Sequence, residues 1–330
     1  MQVNLATATV EPVMTKSQEF EVAQAIVREF SSFLTLEALD RFAMAKHLEN
    51  IAKNVNGTDI LYFSPKMLEK SMHEKQISAT FQSAYNNHEF VVYYQPKIRV
   101  EDRKLYGCEA LVRWNMGDRI APPAEFLPIL EKESAICQLD FYVFETVCAD
   151  IRSWLNAGIT PVKVSSNFSK LHLKNKFLAD DILAIMKKHN IESKYIEIEL
   201  TEVSDFEDSM AMQSFVNKMR EKGISVSIDD FGNGYSTLNV LTNFDVDVIK
   251  LDKSLLEHIG EGNEHDKIVL KNMVSMMQEL NKEVVAEGVE TDTQLEFLKG
   301  IKCALAQGFA YDKPLPRSEF EKRLVERRTY

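Results

Sequence analysis

The sequence predicts an α/β fold in which eight short strands form a barrel surrounded by helices. Eight β-rich apolar runs follow residue 89, at 90–98, 106–114, 162–167, 195–200, 225–229, 246–251, 283–286 and 303–309. From the third run onward, amphipathic helical stretches such as 210–222 and 265–280 separate the strands, which is typical of a parallel sheet covered by helices. Eight units in about 240 residues correspond to a (β/α)8 barrel. A short turn joins the first two runs, which predicts an antiparallel hairpin at the start of the barrel.

Composition limits the possible partners. The 330 residues are 45% hydrophobic, which is enough for a sizeable core, and 39 basic against 50 acidic residues give a net charge of −11. This acidic balance argues against binding to long nucleic acid or to a membrane surface, because both are polyanions. It does not exclude a small anionic ligand held through metal ions.

Cysteine usage and the apolar pattern bear on localisation. None of the four cysteines lies in a C-x-x-C pair, so we expect reduced cysteines and a cytoplasmic protein. The N-terminus lacks a signal-peptide pattern. No run of 18 apolar residues occurs, so no membrane contact is predicted within this chain.

The first quarter of the chain differs from the rest. Residues 1–75 combine a β-like run at 3–10, helical periodicity over 16–54 and a strand at 60–63. This predicts a small α/β N-terminal segment. A helix over 65–87 then leads into the barrel domain, 76–330.

Polar side chains recur at or near the ends of the predicted strands. The set comprises Glu109, Asn167, Glu199, Asp229, Asp230, Lys250, Glu287 and Gln307. Because the carboxyl ends of parallel strands meet on one face of a barrel, these side chains are expected to share one pocket. Several carboxylates that close cannot all stay ionised without a cation, and carboxylate and amide oxygens are ligands of Mg²⁺ and Mn²⁺. The pattern predicts a two-metal site for attack of water on a phosphoester.

Each of these residues also has a purely structural interpretation. A single acid after a strand usually caps a helix or lies in a solvated loop, and a single asparagine usually belongs to a turn. The functional interpretation therefore depends on the recurrence at successive strand ends. Asp230-Phe231-Gly232 alone does not indicate a kinase, because no glycine-rich loop or H-R-D motif accompanies it. His73-Glu74 does not begin a zinc-protease motif, because no second histidine follows at the required spacing.

An ordered set of motifs covers the barrel domain. EALVRW at 109–114 follows YQPK at 94–97 and precedes PAEFLP at 123–128. Further segments are SSNFS at 165–169, IELTE at 198–202, DDFGNGYSTL at 229–238, VIKLDKS at 248–254, VVAEGVET at 284–291 and AQGFAYDKPLP at 306–316. Over residues 76–330 the chain resembles the EAL-domain cyclic di-GMP phosphodiesterases. Lys97 departs from the resemblance, which places an aliphatic residue there, and its effect is not predicted.

The resemblance implies a modified (β/α)8 TIM barrel with one antiparallel strand. It implies hydrolysis of cyclic di-GMP to linear pGpG by metal-assisted attack of water, with Lys250, Glu287 and Asp230 as catalytic residues. The implied ligands of the first Mg²⁺ or Mn²⁺ are Glu109, Asn167, Glu199 and Asp229, and those of the second are Asp229, Asp230 and Glu287. Further implied roles are substrate binding by Gln95 and Arg113, support of the site by Gln307, and support of the loop after Asp230 by Glu202, Asp252, Gly232 and Gly234. The family couples that loop to dimerisation, so a homodimer is expected.

Two alternatives stay open. Residues 1–63 resemble the last third of a GGDEF diguanylate cyclase domain without its signature, so they are not expected to make cyclic di-GMP; a helical cap unrelated to that family is the other interpretation. A non-catalytic cyclic di-GMP receptor or protein-binding EAL domain is the alternative function. Such proteins usually lack metal ligands, and none is missing here.

Overall fold

The computed structural model describes residues 65–201, 206–232, 241–257, 259 and 264–330. The chain divides into two compact units, Met1–Gln76 and Ile77–Tyr330, and the described residues belong to the second unit, apart from 65–76 at the end of the first. Of the small α/β segment predicted over 1–75, residues 1–64, which include the part that resembles a GGDEF domain, lie outside the described residues; the helix predicted over 65–87 is present at Pro65–Asn86.

Helices and strands alternate along the second unit. The described strands are β1 Phe90–Arg99, β2 Leu105–Asn115, β3 Ile120–Ala121, β4 Lys163–Phe168, β5 Ile196–Thr201, β6 Ser225–Phe231, β7 Val248–Leu251, β8 Glu283–Ala286, β9 Leu305–Ala306 and β10 Leu315–Pro316. The described α-helices are α1 Pro65–Asn86, α2 Leu127–Lys132, α3 Ile136–Asn156, α4 Leu178–His189, α5 Phe206–Glu221, α6 Glu264–Glu279, α7 Asp292–Gly300 and α8 Arg317–Glu326.

Eight of these strands close into a barrel, as the sequence predicts. Parallel pairing runs from β2 through β4, β5, β6, β7 and β8 to β9. Strand β1 pairs antiparallel with β2 on one side and with β9 on the other, which closes the barrel. The predicted (β/α)8 barrel with one antiparallel strand is therefore confirmed, as is the opening hairpin.

The barrel and its helices bury an extensive apolar core. All four residues of β7 are buried, as expected for a strand covered on both faces. Helix α3 buries Leu139, Val143, Val147 and Ile151, whose spacing places them on one helical face toward the sheet. Burial of each such side chain contributes about 1.5–3 kcal/mol to the free energy of folding.

The last barrel strand is shorter than predicted. The apolar run at 303–309 forms a strand only at Leu305–Ala306. After Ala306 the chain turns against the segment that follows β8, and the backbone nitrogen of Val289 donates to the carbonyl oxygen of Gln307 at 3.1 Å. A Cβ atom at Gly308 would overlap the nitrogen and oxygen of Val289 and lie 2.7 Å from its carbonyl carbon. This close approach requires glycine.

Replacing Gly308 with alanine is therefore expected to lower the free energy of unfolding by about 3 kcal/mol, because the added methyl group has no space beside the Val289 backbone. Thermal or urea unfolding monitored by circular dichroism measures the change. Gly300→Ala at the end of α7 is the matched control, since nothing lies within 4 Å of its Cβ position. Equal stability of the two variants would contradict the close-approach explanation.

Candidate active site

The polar residues predicted to converge do so inside the carboxyl-terminal mouth of the barrel. Asn167, Glu199 and Lys250 lie on β4, β5 and β7, while Glu287 and Gln307 directly follow β8 and β9. The sheet register places neighbours side by side: Asn167 is opposite Glu199, and Glu109 is opposite Gln95 across the hairpin. The topology thus brings together residues that are widely separated in sequence.

Lys250 lies at the centre of the group and is only 1% exposed. Its Nζ lies 3.2 Å from Glu109 Oε2, 3.0 Å from Glu199 Oε2, 2.9 Å from Asp229 Oδ1 and 2.8 Å from Glu287 Oε1. Burial alone would lower the pKa of Lys250, but the surrounding carboxylates raise it well above its ordinary value. The ammonium group therefore stays charged.

The carboxylates form two overlapping groups that could each hold a metal ion. Ligand oxygens of Glu109, Glu199 and Asp229 lie within 4.8 Å of one another, and so do those of Asp229, Asp230 and Glu287. When ionised, these five side chains carry five negative charges against the one positive charge of Lys250. The difference equals the charge of two divalent cations. An all-oxygen donor set of this charge fits hard divalent cations.

The pKa values within the site diverge. Burial raises the pKa of Glu287 to about 8 and also raises that of Glu109, in spite of the nearby Lys250. Burial and the adjacent Asp229 raise the pKa of Asp230. For Glu199 the ammonium groups of Lys250 and Lys97 outweigh burial, and its pKa is lowered to about 2. The raised pKa values show that Lys250 does not fully offset burial and the mutual repulsion of these carboxylates, and a bound cation would favour their ionised forms.

Amide side chains fix the orientation of Glu109. Asn167 Nδ2 donates to Glu109 Oε1 at 2.9 Å, and Gln307 Nε2 donates to Glu109 Oε2 at 2.6 Å. Gln307 Nε2 also lies 3.1 Å from Gln95 Oε1, and Gln95 is itself buried. Gln307 therefore supports the site through Glu109, whereas Gln95 lies beside the carboxylates rather than in open solvent.

An unusual backbone conformation brings Asp229 and Asp230 to the same site. Consecutive side chains in a strand point to opposite faces, so a regular strand would separate them. Here Asp230 has a φ of +55°, and the register with β7 shifts between Ile228 and Phe231. This irregularity lies at the end of the strand, and Asp230 remains in one candidate cation-binding group with Asp229. Aspartate tolerates the left-handed region better than most residues.

The remaining predicted residues lie around this centre. Arg113 is half-buried on β2, where its Nη1 donates to the Val112 carbonyl at 2.8 Å and its guanidinium carbon lies 5.6 Å from the centre of the Tyr93 ring. Asp252 caps the short helix Lys253–Leu255, because its Oδ1 accepts from the Ser254 nitrogen at 3.0 Å.

Three predicted residues concern the loop after Asp230, namely Gly232 and Gly234 within it and Glu202 as its support. Gly232 has a φ of +108°, and a Cβ atom there would lie 2.6 Å from Leu255 Cδ1. Glu202 and Gly234 lie outside the described residues, and their roles stay predictions.

Sequence reasoning missed one pair of buried charges, Lys97 and Glu197. Lys97 Nζ lies 2.8 Å from Glu197 Oε1 and 2.7 Å from Glu199 Oε1. A sequence signal was present, because Lys97 is a charged residue between Pro96 and Ile98 within a strand, and all three positions are buried. A lysine at such a position requires buried partners.

Comparison with known proteins agrees with this geometry. The family model described as the EAL domain matches residues 78–314. The chain belongs to the EAL-domain family. Its EAL domain is similar to the solved structure of the PaMucR phosphodiesterase in complex with c-di-GMP, with 30% identity and a TM-score of 0.69, covering 74% of this chain and 99% of that one.

Two curated relatives extend beyond the EAL domain. The cyclic di-GMP phosphodiesterase NbdA of Pseudomonas aeruginosa is 32% identical over 79% of this chain and 33% of its own length. The bifunctional diguanylate cyclase/cyclic di-GMP phosphodiesterase MucR of the same organism is 29% identical over 81% of this chain and 39% of its own length. The chain thus spans between a third and two fifths of these relatives. Among the described residues, no helix combines the length and apolar character needed to cross a membrane.

Proposed function

We propose that this EAL domain hydrolyses cyclic di-GMP to linear pGpG, with two divalent cations, Mg²⁺ or Mn²⁺, held at the mouth of the barrel. The observation that carries the proposal is the pair of overlapping carboxylate groups that share Asp229 around the buried Lys250. Two cations bound there would activate water and offset the charge that develops on the phosphate.

Each cation would be bound by a different set of side chains, and Asp229 belongs to both sets. Glu109, Glu199 and Asp229, with the amide of Asn167 beside them, would bind one cation, and Asp229, Asp230 and Glu287 would bind the other. Gln307 keeps Glu109 in place through its 2.6 Å hydrogen bond. Two positions that share Asp229 suit in-line displacement at one phosphorus, because both the entering and the leaving oxygen can then be stabilised.

Lys250 is proposed to orient the attacking water. Its ammonium group is fixed by carboxylates from both proposed cation positions, through Asp229 at 2.9 Å and Glu287 at 2.8 Å. A charged donor between the two positions can hold a water oxygen and offset negative charge in the transition state. Asp230 and Glu287 would contribute to the same step by placing the second cation.

Substrate recognition is proposed to involve Gln95 and Arg113. Partial burial lowers the pKa of the Arg113 guanidinium, which nevertheless stays charged at neutral pH. A partly desolvated guanidinium suits a phosphate oxygen of the cyclic dinucleotide. The family resemblance further suggests a homodimer and a role for the loop after Asp230. The division at residues 75 and 76 and the cytoplasmic location stay predictions.

An activity assay with metal removal tests the proposal. Purified protein incubated with cyclic di-GMP and Mg²⁺ or Mn²⁺ is expected to release pGpG, as followed by chromatography. Treatment with EDTA is expected to abolish product formation, and added Mn²⁺ is expected to restore it, because the acidic groups alone cannot activate water. Tight binding of cyclic di-GMP with no pGpG in either metal would contradict hydrolysis and favour the receptor alternative.

A further inference from the structure

Lys97 is buried in the barrel interior and bonds directly to one of the proposed metal ligands. The residue is 4% exposed, and its Nζ donates to Glu199 Oε1 at 2.7 Å and to Glu197 Oε1 at 2.8 Å. Lys97 lies on β1, the antiparallel strand that closes the barrel, and reaches Glu199 on β5 across the barrel interior.

The two oxygens of Glu199 are thereby assigned to different partners. Oε1 accepts from Lys97, whereas Oε2 lies 3.0 Å from Lys250 at the centre of the carboxylate groups. Glu199 is completely buried, so water does not compete for either oxygen. A bond to each oxygen fixes the plane of the carboxylate and leaves Oε2 on the side where a cation would bind.

Glu197 balances the charge of Lys97. The pair contributes no net charge to the barrel interior, and Glu197 is as deeply buried as the lysine. Lys97 can therefore hold Glu199 without placing an uncompensated positive charge beside the cation. A second lysine, Lys163, lies 4.0 Å from Glu197 Oε2 and provides a natural comparison.

We propose that Lys97 is a positioning residue that restrains Glu199, so that Oε2 alone faces the first metal position, with Glu197 as its counter-charge. This inference rests on the proposed metal-dependent function. Removal of a group that orients a metal ligand typically lowers metal affinity about 10–100-fold.

The positive charge of Lys97 and its restraint on Glu199 have opposite effects on metal affinity, so an experiment can distinguish the two. Loss of the Lys97 charge alone would strengthen the binding of a cation, because a positive group is removed from its vicinity. Loss of the restraint on Glu199 would weaken it. The variant Lys97→Met combines both effects, whereas the double variant Lys97→Met/Glu197→Met keeps the net charge of the interior and isolates the second effect.

The experiment measures Mn²⁺ binding to metal-free protein by isothermal titration calorimetry. We expect the dissociation constant of the double variant to rise about tenfold or more relative to the unaltered chain. Lys163→Met is the matched control, since it removes a lysine that lies beside Glu197 and contacts it through the other carboxylate oxygen; the dissociation constant of this variant is expected to stay within about twofold. Thermal unfolding of the metal-free proteins verifies that each variant is folded.

The outcomes separate the inference from the proposed function. Unchanged or tighter Mn²⁺ binding by the folded double variant overturns the role of Lys97, while the proposed function stands. Absence of Mn²⁺ binding to the unaltered chain overturns both. Replacing a buried ion pair by apolar side chains of similar size is often neutral or stabilising, so the double variant is expected to fold. If it does not, Lys97→Met/Glu197→Gln repeats the test with a polar side chain at 197.

A positional role also predicts how activity changes. Raising the Mn²⁺ concentration is expected to restore much of the kcat of the double variant, with little change in KM for cyclic di-GMP, because Lys97 affects occupancy of the metal position rather than substrate contacts. Loss of kcat that saturating Mn²⁺ does not relieve, together with unchanged Mn²⁺ affinity, contradicts the inference.

Discussion

Replacing Glu109 with alanine is expected to reduce the rate of cyclic di-GMP hydrolysis by more than about a hundredfold. This loss exceeds the one typical of residues that only orient a metal ligand. Both oxygens of this carboxylate are engaged, one by Asn167 and the other by Gln307 and Lys250. Its removal takes a carboxylate from the first of the two groups and leaves the Asn167 amide without this acceptor, while Gln307 and Lys250 each lose one of several partners. Initial rates of pGpG formation at saturating Mn²⁺ measure the effect.

The control for this experiment is Glu101→Ala in the turn between β1 and β2, an exposed glutamate for which the rate is expected to stay within about twofold. Circular dichroism verifies that the Glu109 variant is folded. Turnover equal to that of the unaltered chain would contradict the placement of Glu109 in the metal site. Asp229→Ala is expected to act at least as strongly, because Asp229 belongs to both carboxylate groups.

Lys250→Met is expected to lower kcat by about 10³-fold while changing KM much less, as for loss of a group that acts on the nucleophile in the transition state. The ammonium group contacts four carboxylates, so its absence also removes the positive charge that they share in the metal-free protein. Steady-state kinetics with Mn²⁺ separate kcat from KM.

Lys299→Met, at an exposed position near the end of α7, is the matched control for the Lys250 variant and is expected to leave both constants unchanged. A rise in KM with an unaltered kcat would indicate that Lys250 only binds substrate and would contradict its proposed role at the water. Mn²⁺ titration of the Lys250 variant verifies that the cations are still bound.

The sequence predicted the barrel and the convergence of the site for a physical reason. Strands buried on both faces have continuous apolar runs, so their number and order could be identified without any contact information. Once the strands are parallel, their carboxyl ends share one face, and this places Asn167, Glu199 and Lys250 together. The assignment of particular metal ligands came from the family resemblance and remains to be tested by the variants above.

Other features depend on contacts that no local pattern encodes. The left-handed backbone at Asp230 breaks the strand alternation at that point and leaves no periodic signal. The bonds from Lys97 to Glu199 and from Gln307 to Glu109 join residues 102 and 198 positions apart. The last strand was predicted too long because the apolar run at 303–309 continues past Ala306, where the close approach of Gly308 to Val289 turns the chain.

Closure of the barrel by β1 has a consequence for synthesis of the protein. Strand β1 pairs with β9 and with β10. One of the first strands of the domain to be synthesised therefore completes its pairing only after two of the last have been synthesised. Gln307, which orients Glu109, also emerges late from the ribosome. The nascent chain can form its hairpin and several strand–helix units early, but it cannot assemble the complete proposed metal site before residues near 316 have been released. Until then the barrel is open, and a ribosome-stalled chain ending before β9 is expected to bind Mn²⁺ more weakly than the complete domain.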